Sequence, residues 1–247
     1  MGLSEVNIRE KDFHNELQSR KKGRFENIFY KAIYNINADF FDYLKFNVKN
    51  SNVLDYGCGI GSFAEEVIKY EPKKIIGIDI SEVSINKAKE KAKKLNLNVD
   101  YMVDNCEKTS FEDNNFNIVY GTGILHHLQI EKCLDEIIRI LKPKGSLVFI
   151  EPLGTNPLIN LYRKLTPKSR SVDEHPLVKK DFIYIKNKFT DVKIRYYGFM
   201  TLLCFPLYKS PENSKFFKFL VSLDQILFKF KFFQYLAWSV LITAKKY

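Results

Sequence analysis

Residues 53–61 read Val-Leu-Asp-Tyr-Gly-Cys-Gly-Ile-Gly: a short apolar strand, an acid, then a turn with glycine at every second position. Glycine alone enters left-handed backbone conformations at no steric cost and lets a chain turn tightly beneath a bound ligand. A strand that stops in this way hands over to a helix, here through Phe63, Val67 and Ile68. The unit then recurs. KIIGIDI carries Asp79 at its end, and Ser81 is placed to cap the helix EVSINKAKEKAKKLN. VDYMVD runs up to Asp104, NIVYGTG covers Asn117 to Gly123, a helix runs from about Glu131 to Leu141, and GSLVFIE ends at Glu151. Short apolar strands alternating with amphipathic helices predict parallel βαβ units and a doubly wound α/β sheet.

Apolar residues from Phe25 to Leu44, at spacings of three and four, predict one or two amphipathic helices within residues 13–46. Beyond Glu151 the rhythm breaks in an insert with Pro157, Pro167 and Pro176, expected over the active site. Residues 191–199 and 237–247 read as closing strands. The aromatic segment between them carries too many Lys and Asp residues for a membrane span and predicts a cap helix, with an interfacial helix as the alternative. The expected organisation is a helical lid over 1–48, a cofactor-binding core over 49–151, and an insert, cap and closing strands over 152–247.

With 247 residues the chain buries a substantial core without disulfides. Cys58, Cys106, Cys133 and Cys204 are scattered, form no CxxC pair, and read as reduced thiols. The charged opening segment lacks the apolar core of a secretory leader, so the expected location is cytoplasmic. The formal net charge of +10 admits nucleic acid, an anionic membrane or an acidic substrate as partner, and also a coding bias without functional meaning.

The glycine turn departs from the dinucleotide fingerprint, which wants glycine or alanine where Ser62 stands and has no counterpart of Asp55. Instead D-x-G-x-G-x-G, with an acid ending the second strand, resembles the S-adenosylmethionine-binding signature of class I methyltransferases, over about residues 50–151. The resemblance implies a Rossmann-like fold: a seven-stranded, mostly parallel sheet with helices on both faces. It also implies S-adenosyl-L-methionine as cofactor, with S-adenosyl-L-homocysteine as product. Asp55, Gly57, Cys58, Gly59 and Gly61 would then line the methionine and sugar, Asp79 with Ile80 the ribose, and Asp104, Asn105 and Cys106 the adenine. Gly121 would close the site at the fourth strand. GTGILHHL and KPKGSLVFIEP resemble the small-molecule, bacterial branch. The Asn/Asp-Pro-Pro-aromatic box of nucleic-acid amino-methylating relatives is absent. The insert EPLGTNPLINLYRKLTPKSRSVDEHPL resembles one bacterial subfamily, sometimes found with cell-envelope sugar genes.

Methyl transfer is an in-line displacement at carbon, so alignment and water exclusion come first, and an attacking hydroxyl also needs a base. The candidates are His126, His127 and His175, because imidazole accepts a proton near neutral pH. Glu151, Tyr162, Arg163 and Glu174 are the candidate substrate contacts. The basic run with Lys164, Lys168 and Arg170 suits a phosphate or carboxylate. No carboxylate and histidine grouping resembles the magnesium site of the metal-dependent catechol-type relatives, and no metal is expected. The resulting expectation is an O-methyltransferase acting on a small polar, optionally anionic metabolite: a sugar, a nucleotide-linked sugar or a phosphorylated intermediate of polysaccharide synthesis. N-methylation, a lipid or quinone acceptor, RNA methylation and a non-catalytic cofactor-binding protein are the alternatives. No nucleic-acid partner and no membrane span are expected, peripheral membrane contact stays open, and so does the oligomeric state.

Overall fold

Alternate residues along β1 (Asn52–Tyr56) leave the sheet on opposite faces: Leu54 and Tyr56 enter one core cluster and Val53 the other. This two-sided burial explains the apolar run, because a parallel strand covered on both faces has no solvent side. The computed structural model describes residues 3–19, 28–167, 170–208 and 210–247; Phe25 and Lys168 lie outside them.

Seven strands form one sheet: β1, β2 (Lys74–Asp79), β3 (Asp100–Val103), β4 (Phe116–Thr122), β5 (Leu141–Pro152), β6 (Thr190–Tyr197) and β7 (Ser239–Lys245). Their order is β3-β2-β1-β4-β5-β7-β6. The first five are parallel, and β7 lies antiparallel between β5 and β6. The helices are α1 (Glu5–Ser19), α2 (Tyr34–Asn47), α3 (Ala64–Val67), α4 (Glu82–Leu95), α5 (Ile130–Ile140), α6 (Pro157–Leu165), α7 (Lys179–Lys188), α8 (Met200–Leu203), α9 (Lys215–Leu227) and α10 (Lys231–Gln234).

One core cluster joins α5, through Cys133, Leu134 and Ile137, to Ile185 of α7 and to sheet residues such as Phe149 and Ile242. The other joins Ile36, Phe40 and Leu44 of α2 to Ile159 of α6, Leu202 of α8, and Tyr120 and Val148 of the sheet. The doubly wound fold expected from the sequence is therefore the fold observed. Local signals work as read: the Ser81 hydroxyl accepts from the Ser84 N–H at the start of α4, and Asn156, followed by Pro157, caps α6. The helix expected after the glycine turn is a single turn, α3, continued by a 3-10 turn to Tyr70.

The N-terminal helix begins at Glu5, well before the apolar pattern suggests. Among its described side chains the buried ones are polar, Asn7 and Glu10, and hydrophobic periodicity does not register them. Helix α1 lies against α4, with Lys11 paired to Glu82 at 2.7 Å and the Ser81 hydroxyl donating to Asn15 Oδ1 at 2.7 Å. Among the described residues no helix is long and apolar enough to cross a membrane.

Candidate active site

The strand order reverses between β1 and β4, and at such a switch point the loops leaving the carboxyl ends of the strands part to form a crevice. The glycine turn after β1 lines it. Gly57 and Gly61 have φ of +71° and +69°; a Cβ would strike Ile124 at the first and Tyr101 at the second. Gly59, with φ +52°, faces open space within 4 Å. Two glycines thus serve packing, and the middle one keeps a cradle open.

Three carboxylates surround that cradle. Asp79 accepts from the Gly59 N–H at 2.9 Å through Oδ2 and from the Ser81 N–H at 2.8 Å through Oδ1, which pins the glycine turn to the end of β2. Each of its oxygens keeps a lone pair, the acceptor set that a vicinal diol needs. Asp104 is tied into the next loop by the Asn105 and Ser110 N–H groups. Asp55 is buried, and its Oδ2 makes no hydrogen bond to a described residue. Burial pushes its pKa up to about 7, with the Tyr120 phenol opposing and the Asp79 charge adding to the rise.

Beside the cradle lies a histidine and carboxylate cluster. His126 and His127 occupy a 3-10 turn after β4 (Leu125–His127). His126 Nδ1 is 2.7 Å from Glu151 Oε2, while Glu151 Oε1 accepts from the Ile124 and Leu125 N–H groups at 2.9 and 2.8 Å. Nε2 of His126 faces Glu174 Oε1 at 4.0 Å. His127 Nδ1 lies 3.1 Å from Glu10 Oε2 on α1, and the Ser171 hydroxyl donates to the other Glu10 oxygen. Arg9 holds Asp173 through two bonds of 2.8 Å, so α1 and the insert meet across the site.

Residues 53–145 match the family model described as a methyltransferase domain. A sterol 24-C-methyltransferase of Saccharomyces cerevisiae is 33% identical over 123 residues, covering 49% of this chain and 31% of that protein. A ubiquinone/menaquinone biosynthesis C-methyltransferase of Rickettsia prowazekii is 37% identical over 110 residues, covering 41% and 44%. In fold, the chain superposes over its whole length on geranyl diphosphate C-methyltransferase from Streptomyces coelicolor, solved with Mg2+, geranyl diphosphate and S-adenosyl-L-homocysteine, with a TM-score of 0.69 at 12% identity. Over residues 53–145 the chain carries a methyltransferase domain, set in the Rossmann-like fold of class I, S-adenosylmethionine-dependent methyltransferases. It spans less than half the length of these two curated relatives.

The methyltransferase cradle fits the cofactor in three respects. Gly59 leaves room, Asp79 offers two free lone pairs, and Asp55 adds a buried carboxyl beside the Tyr120 phenol just before the turn. Asn105 is also present at the rim, where its amide donates to Asn7 of α1 at 3.2 Å, and Ile80 is half-buried beside Asp79. Cys58 and Cys106 set their sulfurs against the glycine turn, the Cys58 thiol 3.6 Å from Gly59 O and Cys106 beside the Gly57 N–H. Both are buried in core clusters, and the Cys58 N–H is spent on Ile78. Gly121 is glycine for packing, since a Cβ there would meet Phe149, Tyr56 and Ile124.

Several sequence expectations change on the substrate side. Glu151 is not a substrate contact: it has no exposed surface, and its carboxylate is consumed by Ile124, Leu125 and His126. The His175 ring is exposed and turned to its own loop at Asp173 O; what it adds is a backbone N–H to His126 O at 2.8 Å. Arg163 donates to Leu153 O and Asn160 Oδ1, clamping α6 to the end of β5, and burial lowers its pKa to about 10. Tyr162 carries the Arg170 guanidinium over its ring at 5.6 Å. Glu174 does reach the cluster. Glu10, His14 and Ser171 were not foreseen, and the signal for the first two was a Glu and a His four apart on one helix face. The metal-free expectation rested on sequence spacing, whereas the fold assembles two groupings of ligand type: Glu10, His14 and His127, and His126, His127 and Glu174.

Proposed function

We propose that this protein is an S-adenosylmethionine-dependent C-methyltransferase whose acceptor is lipophilic, of the isoprenoid or quinone kind. The C-terminal cap carries this reading. Around α9 and α10 it exposes Phe216, Phe219, Ile226, Phe230, Phe232 and Tyr235, interleaved with Lys215, Lys218, Lys229 and Lys231. Apolar side chains alternating with cations suit the boundary of an anionic lipid layer, where such an acceptor resides. The sterol and quinone C-methyltransferases among the relatives agree in reaction type; the O-methylation of polar sugars expected from the insert finds no counterpart in them.

In this reading Gly57, Cys58, Gly59 and Gly61 line the methionyl chain with their backbone, Asp55 meets its ammonium, Asp79 the ribose diol, and Asp104 with Asn105 the adenine. The bound cofactor supplies an electrophilic methyl group. Helix α1, fastened through Asn7 to Asn105 and through Asn15 to Ser81, covers the site and excludes water. As the new C–C bond forms and the C–S bond breaks, a proton has to leave the acceptor. His126 takes it on Nε2 when Glu151, whose pKa burial raises to about 7, is deprotonated and holds the other nitrogen as a donor.

A phosphorylated acceptor is the second reading, favoured by Arg170, whose buried Nε has Glu174 at 4.0 Å but no hydrogen bond among the described residues, and which lies near Arg163. The deciding experiment incubates the protein with 13C-methyl cofactor and two acceptor panels, demethylated quinols and prenyl diphosphates in anionic vesicles against nucleotide sugars in buffer. A product resonance in the C-methyl range from the vesicle panel is expected. Turnover confined to nucleotide sugars, with an O-methyl resonance, overturns the proposal.

A further inference from the structure

We propose that Glu10, His14 and His127 form a site for a divalent transition metal of the zinc type, which ties helix α1 to the turn after β4. Glu10 and His14 stand one helical turn apart on one face of α1, and His127 meets them from the core. Glu10 Oε2 lies 3.1 Å from His127 Nδ1 and 3.5 Å from His14 Nε2. Ligand bonds of about 2.1 Å in tetrahedral geometry place donor atoms roughly 3.4 Å apart, so two edges of the polyhedron are already at the right length. The ligand atoms of the trio all lie within 4.8 Å of one another.

A second observation points to a cation. Glu10 Oε2 is buried and faces two imidazole nitrogens, at 3.1 and 3.5 Å, without a well-aligned hydrogen bond to either, so three groups of ligand type turn toward one point. Two imidazoles and a carboxylate buried together share either protons or a cation, and a cation meets all three at once. The Ser171 hydroxyl on the other Glu10 oxygen holds the carboxylate from outside the coordination sphere. Two imidazoles and one carboxylate suit zinc and its neighbours; magnesium prefers oxygen alone. His14 keeps 26% of its side chain exposed, which gives the ion a way in.

The metal closes the lid at its middle, between the Asn7 and Asn15 contacts, and its role does not depend on which acceptor the enzyme methylates. The test uses the whole chain after treatment with chelator, titrated with Zn2+ by competition calorimetry and with Co2+ by visible absorption. One equivalent of each is expected, with Glu10→Gln, His14→Ala and His127→Ala each weakening binding by at least about tenfold. His175→Ala and Glu174→Gln should bind as the wild type does. Zn2+ should also slow amide exchange across residues 5–19 in the wild type and not in His14→Ala. Circular dichroism checks that each variant folds without metal, and His14→Gln replaces His14→Ala should the latter not fold. Absence of saturable binding overturns the proposal; so does wild-type affinity in the His14 variant, or loss of binding on changing Glu174 alone, which would place the ion in the neighbouring grouping.

Discussion

Glu151 and His126 hold each other at 2.7 Å across two adjacent strand ends, one just past the Thr122–Ile150 pairing of β4 with β5 and the other in the turn that leaves β4. The carboxylate also receives both N–H groups that open that turn, so a single buried side chain sets the backbone and the ring orientation of the proposed base. Glu151→Gln keeps an acceptor for those N–H groups and presents an N–H to His126 Nδ1, which forces the proton onto Nε2. Turnover should fall by about 10²- to 10⁴-fold while cofactor affinity stays within about twofold, read by single-turnover kinetics beside calorimetry. Undiminished turnover removes His126 from the reaction.

Stability should carry the mark of the two buried acids. Burial raises the pKa of Asp55 and of Glu151 to about 7, above the values of 3.8 and 4.5 they have when unfolded. The folded state therefore binds more protons than the unfolded one, and each acid makes the fold less stable as pH rises from about 4 to 7. Asp55→Asn removes its share, at most roughly 4 kcal/mol at pH 8. The variant's melting temperature should exceed that of the wild type at pH 8, by less at pH 5, and match it only near pH 3.5, as seen by calorimetric melting. A constant offset at all three pH values contradicts this.

Cofactor affinity should depend on Asp79 more than on any other acid. Losing a charged acceptor for a diol costs roughly 1.5–3 kcal/mol, or about 10- to 100-fold in Kd. Asp79→Ala titrated with S-adenosylhomocysteine reads this directly, and an unchanged Kd withdraws its ribose role.

Substitution within the glycine turn should separate packing from binding. Gly61→Ala places a Cβ against Tyr101 at a left-handed φ, so thermal stability falls by more than the roughly 1–2 kcal/mol of the backbone conformation alone. Gly59→Ala meets open space, so its stability loss stays near that backbone cost while cofactor binding drops further. Melting curves and titrations of the two variants should rank in opposite orders.

Membrane recruitment should rest on the cap. Phe219→Asp with Phe232→Asp removes two exposed rings, at 61% and 69% exposure, and should abolish cosedimentation with anionic vesicles without lowering the melting temperature. Retained vesicle binding would remove the lipid face.

The strand, glycine turn and acid pattern was legible because each part is local. Alternation follows from burial on both faces of a parallel sheet, φ above zero demands glycine, and the acids at the ends of β1, β2 and β3 fall where the chain leaves the sheet. These signals determined the sheet, its helices and the cofactor edge. The placement of β7 between β5 and β6 required long-range antiparallel pairing that no window of sequence records. The roles of Glu151, His175 and Arg163 were likewise decided in three dimensions, by which partner their polar atoms reached first. Helix α1 shows the limit most clearly. Its buried residues among the described side chains are Asn7 and Glu10, polar because they close over polar groups, and only the folded chain brings Glu10 and His14 to His127, more than a hundred residues away.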